Sequence, residues 1–232
     1  MSFLENPIVL LFLTLAVYAC GLFLSNRFKW LIFNPILLSM AVLMAYLVVL
    51  DIPYETYQKG GQYIDFFLKP SIVALAVPLY LQWERIKKQW LPIFISQLIG
   101  CLVGIVSVLY LAKWTGADRE LALSLVPKSV STPIALEVSA TIGGIPSITA
   151  TAVIITGIFG SMLGFQMMEY FRLNNPISQG IAIGTSSHAL GTMKAMSVSQ
   201  TYGAFASVGM IFNGVLTAVL APLILSWLGH WF

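Results

Sequence analysis

The apolar runs constrain this chain most. Pro7–Ser25 and Leu31–Leu50 contain no charged side chain, and Leu91–Lys113 has none before its final lysine. A helix needs about 20 residues to cross the hydrocarbon of a bilayer, and each run is close to that length. A further run, Tyr63–Leu81, carries only Asp65 and Lys69. Over the whole chain 58% of residues are hydrophobic and 9% charged. A soluble domain of this size would be about a quarter charged. The expected fold is therefore an all-α polytopic membrane protein, with lipid as the solvent for most of its exterior.

The few charges lie between the runs. Arg27 and Lys29 follow the first, and Glu84, Arg85, Lys87 and Lys88 follow the third. Asp51, Glu55, Lys59 and Asp65 belong to another loop, and Lys113, Asp118, Arg119 and Glu120 to the next. Lysine and arginine accumulate on the cytoplasmic side of membrane proteins. That rule places Arg27/Lys29 and Arg85–Lys88 in the cytoplasm and the N-terminus outside, periplasmic if the membrane is a bacterial inner membrane. Trp30, Trp83 and Trp90 fall at the cytoplasmic boundary, and Trp114, Trp227 and Trp231 near other predicted ends, as an aromatic belt requires. Glu5 stands where a cleavable secretory signal would be basic, so none is expected. Cys20 and Cys101 lie in apolar runs and are read as ordinary packing.

After Glu120 the pattern changes. Pro127-Lys128-Ser129-Val130-Ser131-Thr132-Pro133 separates Leu121–Leu125 from Ile134–Val138, and a clean run resumes from Ile148 to about Met168. Then Ile177–Ile183 meets Gly184-Thr185-Ser186-Ser187-His188-Ala189-Leu190-Gly191-Thr192-Met193-Lys194, before a last run, Phe205–Leu228. The two interruptions read as a tandem repeat. Ser131–Leu136 parallels Ser186–Leu190, and the helices that follow carry Thr156-Gly157-Ile158 and Asn213-Gly214-Val215. The expected organisation is a four-helix scaffold over residues 1–120, then two units, 121–176 and 177–232, of inverted topology. Six spans plus two re-entrant hairpins, or eight spans, both satisfy the pattern. Glu169 and Arg172 fall in the cytoplasm.

Irregular backbone survives in hydrocarbon only where protein or water satisfies it, so the interruptions point to a lined cavity. Broken helices expose N–H groups that favour anions. Pro133 suits the first turn of a half-helix, with Ser131 or Thr132 as its cap. Lys128 is a costly residue at membrane depth and is expected to bind substrate, unless it snorkels or pairs with Glu137. Glu137 is read as Lys128's partner, a coupling-proton carrier or a surface residue, and His188 as a substrate or proton-path residue. The expected substrate site is Lys128, Ser129, Ser131, Thr132, Pro133, Thr185, Ser186, Ser187, His188, Gly191, Thr192, Lys194 and Asn213. No nucleophile elbow and no metal-ligand spacing occur. An enzyme, a cofactor, a metal and nucleic acid are not expected, and His230 is expected to be idle.

The run from Pro127 to Ala135 with Ile142-Gly143-Gly144-Ile145-Pro146, and the run from Gly184 to Thr192 with Gly203-Ala204-Phe205-Ala206-Ser207, closely resemble the LrgB/CidB family of bacterial membrane proteins. The likeness covers nearly the whole chain, which looks like a short inner-membrane member. The resemblance implies one of two functions. One is transport of small carboxylates such as pyruvate, glycolate or lactate, as in the related plastidal glycolate/glycerate translocator. The other is holin/antiholin-like control of murein hydrolases and cell lysis. It also implies a small LrgA/CidA-like membrane partner; a homodimer and an elevator motion are expected by analogy. This chain departs from the family pattern at Ser186, where alanine is usual, and at Lys194, where arginine is usual. Lysine keeps the charge but loses the two-pronged grip on a carboxylate.

Overall fold

The computed structural model describes residues 6–28, 34–74 and 76–228. Glu5, Lys29, Trp30, His230 and Trp231 lie outside the described residues. Among those described there are eleven helices. They are α1 (Pro7–Phe28), α2 (Pro35–Val49), α3 (Tyr54–Ala74), α4 (Ala76–Leu81), α5 (Trp83–Lys88) and α6 (Trp90–Trp114). Then come α7 (Arg119–Leu125), α8 (Thr132–Ile142), α9 (Pro146–Tyr170), α10 (Pro176–Val198) and α11 (Gln200–Leu228). Four helices, α1, α6, α9 and α11, are long and apolar enough to cross a membrane.

The chain divides into two compact units, Met1–Ala76 and Val77–Phe232. In the first, α1 packs on α2 and α3. Asn34 caps α2 by accepting from the Ile36 and Leu37 amides. Thr14 and Tyr57 join α1 to α3 through their hydroxyls, 3.1 Å apart. One expectation changes here. The segment from Glu55 to Asp65 is helical rather than a loop, because α3 restarts directly after the Asp51–Pro53 turn, where the Thr56 amide bonds the Pro53 carbonyl. The rest of the third run lies in α3 and α4.

The second unit takes in α6 as well as the interrupted segments. Cys101, Ile105 and Leu109 of α6 share a core with Val126, Val138 and Ala221. Packing divides the chain at Ala76/Val77, with α6 burying its apolar face against α8 and α11. Trp90 and Trp114 stand exposed at the two ends of α6, and Trp227 in the last turn of α11.

Both interruptions are reversals of direction. The chain leaves α7, turns through residues 126–131, and comes back along α8. The Thr149 hydroxyl on α9 donates to the Ser124 carbonyl of α7 (2.9 Å) and lies 2.7 Å from the Ser139 hydroxyl of α8, which can donate to it. Ser124 in turn accepts from the Ile145 amide at 2.7 Å. Gly143 closes α8 at φ 84°, a left-handed cap that suits glycine. In α10 the reversal is at His188, whose φ of 42° and ψ of −131° are not helical. A straight helix would put residues 183 and 191 about 12 Å apart. Instead a β-carbon on Gly191 would lie 2.8 Å from the Ile183 carbonyl oxygen. Ala195 shares a core with Ile183, Met168 and Ala206, so the second arm returns alongside the first.

The partners of α9 and α11 give the directions. Along α9, Gly157, Gly160 and Gly164 meet His188, Ser187 and Ile183, so α9 runs antiparallel to the first arm of α10. Along α11, Tyr202, Ala206 and Asn213 meet Gly180, Gly184 and Thr185, so α11 runs parallel to that arm. Hence α9 and α11 are antiparallel, each preceded by a fold-back segment. Small residues permit the close approach that packs helices without a hydrophobic driving force. A β-carbon at Gly184 would overlap the Ala206 backbone carbonyl.

Candidate functional site

The site is built on Asn213, which is 3% exposed in the middle of α11. Its side-chain nitrogen donates to the Ser129 carbonyl at 3.1 Å and to the Thr185 carbonyl at 3.0 Å. Both partners can only accept, so the amide orientation is fixed and its oxygen is left as an acceptor. One side chain thus ties the ends of the two fold-back segments together.

Beside this junction lies a cavity of about 580 Å³. Of the residues expected from sequence, it is lined by Ser129, Thr185, Ser186 and Asn213. The structure adds Ser96, Gln97 and Cys101 from α6, and Thr217 from α11. Gln97 is 1% exposed. Its amide nitrogen donates to the Thr185 hydroxyl at 2.7 Å, while that hydroxyl lies 2.9 Å from its oxygen and 2.7 Å from the Ile181 carbonyl. Cys101 and Thr217 pair at 3.3 Å. Gln97 was legible as the lone amide inside an apolar run. Cys101 carried no such signal; it packs in the core with Ile105 and Leu109 as expected, and it also borders the cavity.

The other expected residues lie elsewhere. Lys128 lines a different groove with Ser147, Thr151 and Thr156. It makes no ion pair with Glu137, which is exposed on α8. Thr156 and Asn213 hold matching places in the repeat but line different cavities. Ser131, Thr132 and Pro133 begin α8 and do not line the cavity. Ser131 sits at the cap position without a side-chain cap bond. Ser187 is buried against Gly160 and lies 3.0 Å from the Ser186 hydroxyl. His188 is 4% exposed, with Nε2 2.9 Å from the Val153 carbonyl. That carbonyl only accepts, so Nε2 carries a proton, and the ring anchors the reversal to α9 rather than facing the cavity. Gly191 packs on Ser187, and Thr192 donates to the His188 carbonyl at 2.8 Å. Lys194 is exposed on the return arm.

Membrane-length apolar helices, with polar fold-back segments meeting at a buried amide, define a polytopic helical membrane protein. A model of the LrgB-like family matches residues 14–227, and the chain belongs to that family. It is 40% identical over 221 residues to the uncharacterized protein YwbG of Bacillus subtilis (strain 168), a match covering 95% of this chain and 98% of that one. A second uncharacterized B. subtilis protein, YxaC, is 39% identical over 223 residues, 96% of each chain. The antiholin-like protein LrgB of Bacillus cereus (strain B4264) is 35% identical over 217 residues, 93% of this chain and 94% of that one. No solved structure matches.

Proposed function

We propose that this protein carries small carboxylic acids of the pyruvate, glycolate or lactate kind across a bacterial inner membrane. The observation that carries this reading is Asn213, which joins both fold-back segments at the wall of one largely apolar cavity that carries a few polar side chains. A protein needing only a hydrophobic oligomerising surface has no use for paired interrupted helices joined by a buried amide beside a cavity.

Helix lengths support a topology. The 25 residues of α9 span about 38 Å, more than the roughly 30 Å hydrocarbon core. The 11 residues of α8 span only about 16 Å, so that arm ends near mid-depth. In this reading α6, α9 and α11 cross together with the three apolar runs that precede α6, and the two fold-back segments are re-entrant from opposite faces. The positive-inside rule then sets Arg27, Arg85, Lys87, Lys88 and Arg172 in the cytoplasm and the N-terminus in the periplasm. An elevator motion, a homodimer and a small LrgA/CidA-like partner belong to the same reading.

The antiholin-like name of the Bacillus cereus relative favours a second reading more directly than the first. In it the chain is antiholin-like and restrains murein hydrolase activity and lysis. Proteoliposomes separate the two. Saturable uptake of labelled pyruvate, glycolate or lactate that Thr185→Leu abolishes supports the carrier. Leakage of a small trapped dye without saturable uptake supports the antiholin-like reading, and silence in both assays counts against the carrier.

A further inference from the structure

If the chain is a carrier, the chemistry of its cavity restricts the form in which the acid enters. Among the described residues that line it there is no charged side chain. Lys128, next in sequence to the lining Ser129, belongs to the other groove. The N-terminal turns of the two return arms, whose free amides would favour an anion, are absent from the lining as well.

Several of the lining donor hydrogens are already used inside the protein. Both hydrogens of the Asn213 amide are used on the Ser129 and Thr185 carbonyls. One Gln97 N–H is used on Thr185, and the Ser96 hydroxyl is used on the Ile93 carbonyl at 2.8 Å. What faces the space is mixed. The Asn213 oxygen and the hydroxyl lone pairs can accept, while Gln89, Ser129, Ser178, Thr217 and the second Gln97 N–H can donate. A carboxylate offers only acceptors and would bring an uncompensated charge into this wall. A protonated acid, or an amide of the same shape, brings a donor for the Asn213 oxygen together with an acceptor.

We infer that the cavity takes the acid in its uncharged, protonated form, and neutral amides of the same shape with it, rather than the carboxylate anion. The proton is taken from water on entry and returned on release, so net movement is electroneutral. This rests on the carrier reading. The uncharged fraction falls about tenfold per pH unit above the acid's own pKa, so the apparent KM for total acid rises by the same factor.

The test uses the full chain in proteoliposomes taking up labelled glycolate, with two competitors of similar size. Glycolamide is neutral at every pH used, and methanesulfonate is a permanent anion. Glycolamide is expected to compete at least about a hundredfold better, since a charge without partners in a low-dielectric wall is strongly disfavoured. Lys128→Ala is expected to keep uptake near the parent level. Competition by methanesulfonate, or by neither compound, overturns the inference. So does uptake driven by membrane potential and lost in Lys128→Ala, although the carrier itself would stand. Absence of saturable uptake for any acid fells the carrier reading, and the inference with it.

Discussion

Replacing Asn213 with leucine keeps most of its volume and removes the two donor hydrogens that join the fold-back segments. The Ser129 and Thr185 carbonyls then lose their side-chain partner. A typical hydrogen bond contributes about 1 kcal/mol net, and a buried group left unsatisfied costs about 1–3 kcal/mol. Double-mutant cycles within membrane proteins average lower, about 0.6 kcal/mol per interaction. Two bonds at a site that is 3% exposed therefore predict a loss of about 1–4 kcal/mol. Asn213→Asp is the sharper variant, because a carboxylate has no hydrogen to offer two carbonyls. Its loss should exceed that of the leucine variant at neutral pH and shrink as the pH is lowered and one donor returns. Reversible unfolding in mixed detergent micelles, followed by circular dichroism, reads these differences. A leucine variant within about 0.5 kcal/mol of the parent would refute the claim that this amide holds the junction together.

Other substitutions probe the packing and the cavity. Gly160→Ala should be poorly folded because its β-carbon meets Ser187, and Ser187→Gly should restore it; failure of the rescue places the conflict elsewhere. Gly184→Ala should abolish the folded protein, since the obstacle is the Ala206 backbone, whereas Gly104→Ala, with nothing within 4 Å, should melt like the parent. A double-mutant cycle of Gln97→Leu and Thr185→Val should give a coupling of about 0.6–1.7 kcal/mol, and additive losses would mean that the two side chains do not bond in the membrane.

The sequence by itself determined the solvent and the parts. Long stretches without charge leave lipid as the only medium that suits the exterior, and hydroxyl-rich, proline-flanked interruptions can persist there only beside protein or water. The interruptions were equally legible, because runs of hydroxyl, glycine and proline break the apolar pattern at Pro127–Pro133 and Gly184–Lys194. Only the tertiary structure decided which residues of the interruptions share a space. Lys128 and Ser129 are neighbours in the chain, yet one lines the groove with Thr156 and the other the cavity with Asn213. A turn sends successive side chains in different directions, and no spacing rule recovers that. His188 looked like a proton carrier by residue type, but the reversal it occupies aims its ring at the Val153 carbonyl. Gln97 entered the site from a helix that the sequence grouped with the scaffold, because burial of α6 against α8 and α11 depends on contacts across more than a hundred residues, such as Cys101 with Thr217.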